Sequence, residues 1–163
     1  MFYYPRFKFA LREDLKDEKQ FLPKKAEEHS TGYDVRAAFE NKKDLVLNSR
    51  EYFKIPLGFR SYCPEGWYYQ LHPRSSSFAK KQMHNLIGII DESWEGQTLF
   101  AGQYLPENVE DQLIIKFGEP IGQIIPLKRY TSVFEEISNK DLDSLFIKRD
   151  FARKSGGFGS TNK

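Results

Sequence analysis

Cys63 is the only cysteine in 163 residues, so no disulfide can close within the chain and no cysteine-rich metal site can form. Histidine is nearly as scarce. His29, His72 and His84 fall at unrelated spacings and make no metal cluster, and His29 and His84 are expected on the surface or in loops. No aliphatic run approaches the length that crosses a bilayer, which argues against a membrane partner. The amino terminus lacks the basic-then-apolar pattern of a signal peptide; with a lone thiol, this predicts a reducing, cytoplasmic compartment, or the nucleus or a host-cell compartment for a eukaryotic or viral source. The Gly-x-x-x-x-Gly-Lys-Ser/Thr phosphate loop is absent, as are internal repeats and any helical pattern long enough for α/β crossovers.

Charge of one sign is also lacking. The net charge of +2 is too small for a nucleic-acid binder, and the excess of cations sits at one end. Residues 148–163 carry Lys148, Arg149, Arg153, Lys154 and Lys163 against Asp150 alone. Basic residues gathered in one glycine-rich arm, with no recognition helix, do not read nucleic acid. Aromatics, in contrast, are abundant: fourteen Phe and nine Tyr favour strands. Strands are predicted at 7–11, 45–47, 52–55, 67–72, 97–100, 113–117, 121–126 and 133–137, with a polar turn running into a short strand over 30–35 and a short helix at 78–83. Residues 12–28 read as a solvated loop with at most a helical turn, and 101–110 as a second loop. Pro56, Gly58, Pro64 and Gly66 punctuate the region around the early strands. Many short strands with Gly/Pro turns predict an all-β sandwich, jelly roll or barrel. A core over 1–146 is followed by a loose arm over 147–163.

The stretch 85–96 organises the rest. Leu86 to Ile90 is apolar, broken by Gly88, and is followed by Asp91, Glu92, Ser93, Trp94 and Gly96. It reads as one arm of a β-hairpin whose return strand begins at Gln97. Gly88 points to a close backbone approach. Asp91 is either a turn-former making local hydrogen bonds or a base beside a pocket. Arg74 with Ser75 and Ser76, at a strand-to-helix junction, suits an anion, with serine N-capping as the alternative. Asp34 follows Gly-Tyr in a turn context, and Gln123 lies in an apolar strand where a buried amide needs partners. The glycine-rich end is either a loose terminus or, through Phe158, Arg153 and its amides, a ligand-wrapping arm.

Taken in order, these segments resemble the five motifs of the trimeric dUTPases. Thr31-Gly32-Tyr33-Asp34-Val35 resembles the first and Pro73-Arg74-Ser75-Ser76 the second. Gly88-Ile89-Ile90-Asp91 with Trp94 and Gly96 resembles the third, Gly118 through Gln123-Ile124-Ile125 the fourth, and Arg153 through Gly156-Gly157-Phe158-Gly159-Ser160-Thr161 the fifth. The resemblance spans roughly 21–162. It implies a jelly-roll-like β-barrel with one short helix and a flexible arm, assembled as a homotrimer with shared sites. One subunit would lend the hairpin, a second the first, second and fourth motifs, and a third its arm. The implied reaction is Mg2+-dependent hydrolysis of dUTP to dUMP and pyrophosphate. Asp91 would activate the attacking water, and Asn85, Gly88, Ile89 and Ile90 would read uracil. Trp94 would pack on the deoxyribose, with Leu99 a further nucleotide contact. Arg74, Ser75, Ser76 and Gln123 would hold phosphates, and Asp34 would act on the ion through water. Phe158 would stack on the base, with Arg153, Gly159, Ser160 and Thr161 at the γ-phosphate.

Three departures stand out. Trp94 replaces the usual Tyr, Pro120 replaces the usual Arg of the fourth motif, and Lys154 replaces a glycine. The related dCTP deaminases share an Arg-Ser-Ser motif and a Trp at position 94, but their glutamate position falls here at Ala101, flanked by Phe100 and Gly102. A non-catalytic regulatory binding protein on this fold is the other alternative; the retained Asp91, Arg74, Gln123 and Arg153 weigh against it.

Overall fold

The structure, a computed structural model, describes residues 4–147. The chain forms two compact units, Met1–Tyr130 and Thr131–Lys163. In the first unit, β1 (Lys8–Leu11), β4 (Tyr52–Tyr62), β8 (Gln97–Tyr104) and β6 (Met83–Asn85) form one sheet, in the order β1-β4-β8-β6. A second sheet takes the order β2-β10-β5-β7, from β2 (Tyr33–Arg36), β10 (Pro120–Lys128), β5 (Trp67–Pro73) and β7 (Gly88–Ile90). A ribbon pairs β3 (Leu45–Asn48) with β9 (Gln112–Ile115), and the short helix α1 (Ser75–Ala79) follows β5. Every described pairing is antiparallel. This is the expected all-β, jelly-roll-like fold.

Period-two alternation builds the core. Along β4 it turns Phe53, Ile55, Leu57 and Phe59 inward, and along β5 Tyr69 and Leu71. These meet Phe100 of β8 and Ile121 and Ile124 of β10 in one buried cluster, so the two four-stranded sheets face each other. The fully buried Tyr69 phenol is satisfied by Ser61 at 2.8 Å and Thr98 at 3.0 Å, linking the sheets through a polar contact.

Several sequence expectations change. Pro56 and Gly58 do not end a strand; β4 runs through them with a register irregularity between Pro56 and Arg60. Gly58 sits at φ +75°, where its lack of a Cβ also makes room for Leu15 and Ala38. The 12–28 stretch is not wholly solvated, because single 3-10 turns at Glu13–Leu15 and Lys19–Phe21 bury Leu15 and Phe21 beside Ala38 in a satellite core. The expected helix forms earlier, at Ser75–Ala79, and β8 extends to Tyr104 into the predicted loop.

The hairpin is rearranged. β8 pairs not with Gly88–Ile90 but with β6, as Met83↔Tyr104, His84↔Gln103 and Asn85↔Gly102. After Asn85 the chain changes sheets, and β7 pairs with β5. No close approach is made at Gly88, where a Cβ would make ordinary contact with Leu71 at 3.6 Å. In the second unit, the strand expected at 133–137 is not formed. The helix α2 (Asn139–Ile147) follows instead, started by Ser138, whose hydroxyl accepts the Asp141 amide at 3.1 Å. That Ser-x-x-Asp pattern is a helix-start signal. The arm expected at 147–163 lies outside the described residues but for Ile147.

Candidate active site

At the carboxyl end of β5, three of the expected residues come together. Asp34 on β2 and His72 on β5 both stand opposite Gln123 on β10. The Gln123 carboxamide donates to the Pro73 carbonyl at 3.1 Å, which supplies the partner a part-buried amide requires. A Cβ on Gly32 would run into the same carboxamide, so a larger residue there would have to displace the Gln123 side chain. Arg74 follows directly and reaches Asp34, Nε to Oδ1, at 3.4 Å, with both side chains partly exposed.

Serine does not cap α1. The N-cap position is Arg74, in extended backbone (φ −79°, ψ 152°), with no side-chain cap, leaving Ser75 and Ser76 in the first turn. Ser77 is a structural residue the sequence reading missed. Its buried hydroxyl donates to the Ile121 carbonyl at 2.7 Å and pins the helix to β10 two positions from Gln123. A third serine in a row carries no signal for this; burial alone distinguishes it. Where Pro120 displaces the usual arginine, its register partner is Arg36, whose guanidinium donates to the Gly118 carbonyl at 2.7 Å.

Asp91 lies at the other end of the same sheet. Ile90 stands opposite Tyr69, which sets Asp91 level with Tyr68, six residues before Arg74. At about 3.3 Å per residue this is about 20 Å. The exposed Asp91 carboxylate has no hydrogen-bond or ion-pair partner among the described residues; its carbonyl closes the turn by accepting the Trp94 amide at 3.1 Å. Trp94 is half exposed and its ring covers Gly96. Beneath the turn, the Cys63 thiol lies 3.8 Å from the Ile90 carbonyl. Burial, reinforced by the charges of Asp91 and Glu92, pushes this thiol up to about 11.

Asn85 ends β6 in the lining of a cavity of about 800 Å3, with Tyr52, Phe53, His84, Leu86 and Gly102. Both polar atoms of its carboxamide are buried with no hydrogen-bond partner among the described residues. A buried donor and acceptor left unpaired side by side are costly. Leu99 projects from β8 opposite Pro56, partly exposed, and Ile89 from β7 opposite Gln70. Arg153, Phe158, Gly159, Ser160 and Thr161 lie outside the described residues. Among the described residues no three His, Cys, Asp or Glu side chains gather to hold a metal ion, so Asp34 alone could contribute only one carboxylate.

A two-sheet antiparallel fold with an arginine and two serines at one end, a buried unsatisfied amide and an exposed carboxylate at the other end is suited to a polar, anionic ligand. Its relatives narrow the class. The dUTPase family profile matches residues 18–162. A deoxyuridine 5'-triphosphate nucleotidohydrolase of Rickettsia bellii is 34% identical over 142 residues, covering 86% of each chain. The protein of the same description from Solanum lycopersicum is 32% identical over 144 residues, covering 88% of this chain and 76% of that one. Among solved structures, the Streptococcus mutans dUTPase superposes with a TM-score of 0.66 at 22% identity, over 77% of this chain and 98% of that one. A dUTPase of Staphylococcus aureus phage phi11, described with a structural Mg(II) ion, reaches 0.67 at 17% identity over 82% and 97%. These two show the fold. The chain belongs to the dUTPase family.

Proposed function

We infer that the chain hydrolyses dUTP to dUMP and pyrophosphate, with Asp91 as general base. The observation that carries this is the exposed Asp91 carboxylate, which has no partner among the described residues and sits on a turn whose backbone is closed. The carboxylate takes a proton from water, the water oxygen bonds to the α-phosphorus, and the bond from that phosphorus to the bridging oxygen breaks, releasing pyrophosphate. General-base help of this kind is worth about 10²–10⁴-fold.

Backbone groups of Asn85, Gly88, Ile89 and Ile90 read the uracil edge. Trp94 packs on the deoxyribose and excludes a 2′-hydroxyl by bulk, with Leu99 adding a nucleotide contact. Arg74, Ser75, Ser76 and Gln123 hold the phosphates. Asp34 would act, through water, on a magnesium ion carried by the triphosphate, and that ion would neutralise phosphate charge. Phe158, Arg153 and Gly159 to Thr161, on the 147–163 arm, close over the nucleotide.

The assembly is a homotrimer with shared sites. Within one chain Asp91 and Arg74 lie about 20 Å apart along the strands, whereas a general base must sit within about 3 Å, or one water, of its proton. That separation favours a site whose two ends come from different subunits. Leu86, Ile87 and Ile89, each more than half exposed around the β6–β7 link, supply an apolar surface that a neighbour would cover. The deaminase reading is disfavoured because Ala101, with the buried Phe100 and Gly102 beside it, offers no carboxylate.

Pyrophosphate release from dUTP, dCTP, dTTP and UTP with magnesium, beside Asp91→Asn, tests the whole reading. dUTP alone is cleaved and the variant is inactive. Comparable UTP cleavage would show that Trp94 has lost sugar selection, ammonia from dCTP would restore the deaminase, and no turnover would leave a binding protein.

A further inference from the structure

The Asp91 turn spans residues that belong to neither strand, since β7 ends at Ile90 and β8 begins at Gln97. Among the described residues, Asp91 holds the turn through its carbonyl, which accepts the Trp94 amide. The next side chain does far more. The Glu92 carboxylate accepts the Gly66 amide at 2.7 Å through Oε2 and the Arg129 guanidinium at 2.7 Å through Oε1. The Arg129 amide in turn donates to the Gly66 carbonyl at 2.8 Å, closing a triangle between the Asp91 turn, the β4–β5 turn and the end of β10. Gly66 stands at φ +73°, the left-handed conformation that orients its amide. On the far flank, Arg60 Nε donates to the Glu95 carbonyl at 2.7 Å.

We propose that Glu92 is a positioning residue for hydrolysis, bridging Gly66 and Arg129 so that the adjacent Asp91 carboxylate is held where it can take the proton from water. The proposal rests on Asp91 being the base. Glu92 is about one-third exposed and Arg129 about one-half, and exposed ion pairs add little global stability. The work of this contact is therefore orientation. Misplacing a reacting group by about 1 Å costs up to about 100-fold in rate. A merely structural pair would change unfolding and leave turnover alone; a positioning residue does the reverse.

Steady-state dUTP hydrolysis and thermal unfolding of the full chain decide between them, using Glu92→Ala, Glu92→Gln, Arg129→Gln, the double variant Glu92→Ala/Arg129→Gln, and Asp91→Asn. For Glu92→Ala, kcat falls by about 10- to 100-fold while KM stays within about twofold, and Tm moves by no more than about 3 °C. Glu92→Gln keeps an acceptor for the Gly66 amide and recovers part of the loss. The double variant is no worse than Glu92→Ala, because both side chains act through one contact. An unchanged kcat in Glu92→Ala beside an inactive Asp91→Asn would overturn the proposal, as would a rise in KM in place of a fall in kcat. An active Asp91→Asn would remove the base, and the proposal with it. Should Glu92→Ala fail to fold, Arg129→Gln decides: a lowered kcat with KM kept supports the clamp, and an unchanged kcat refutes it.

Discussion

Two inactive variants should restore activity when their subunits are mixed. Asp91→Asn removes the proposed base and Arg74→Ala the phosphate-side guanidinium. The β5–β7 register places these positions at opposite ends of one sheet, level with Tyr68 and one step beyond Pro73. The separation of about 20 Å follows from six steps of about 3.3 Å. If each site takes Asp91 from one subunit and Arg74 from another, equal mixing leaves about one site in four with both groups intact, because each of the two donors is of the right kind half the time. The assay is to unfold the two variants together, refold them, and measure pyrophosphate release from dUTP. The expected activity is about a quarter of the unaltered protein's, against near zero for either variant refolded alone. Activity no greater than the separate variants, with mixed oligomers demonstrated by mass, would refute the shared site.

Asn85→Leu fills the place of an unsatisfied carboxamide with an apolar side chain. The ligand-free protein should gain about 1–3 kcal/mol in urea unfolding while KM for dUTP rises; a loss of ligand-free stability would show that the amide is satisfied within the fold. Cys63 should make stability fall at high pH. Its folded-state value is raised from 9.0 to about 11, so between these values the unfolded thiol releases its proton while the folded one keeps it. Stability is therefore lost as pH rises above about 9, by at most about 1.4 kcal/mol per pH unit. Urea midpoints measured at pH 8 and pH 10.5 should diverge more for the unaltered protein than for Cys63→Ala, and equal slopes would refute the buried-thiol account.

Local patterns and global placement were legible to different degrees. The strands at 45–47 and 67–72 were readable to within a residue, because alternation of Leu45, Leu47, Tyr69 and Leu71 is a short-range signal that one buried face imposes. The 133–137 stretch, also rich in apolar residues, misled for the same reason: a strand needs a partner, and nothing local states whether one is present. The Ser138-x-x-Asp141 start of α2 is a local signal that the strand reading of 133–137 left unused. Leu15 and Phe21 were hidden by charged neighbours, although two large side chains are enough to bury a 3-10 segment against Ala38.

The class of fold, the order of the motifs and the chemistry each could perform were all readable along the chain, since these depend on side-chain type and near-neighbour spacing. Only the tertiary structure decided where the chain crosses from one sheet to the other after Asn85, because that choice depends on which strand edges are free. The crossing sends Asn85 to a cavity on one sheet and Asp91 to the far end of the other, away from Arg74. Hydrogen-bond register over long sequence separations sets that distance. It also joins Glu92 to Gly66 and Arg129, residues 26 and 37 positions away that no local pattern relates.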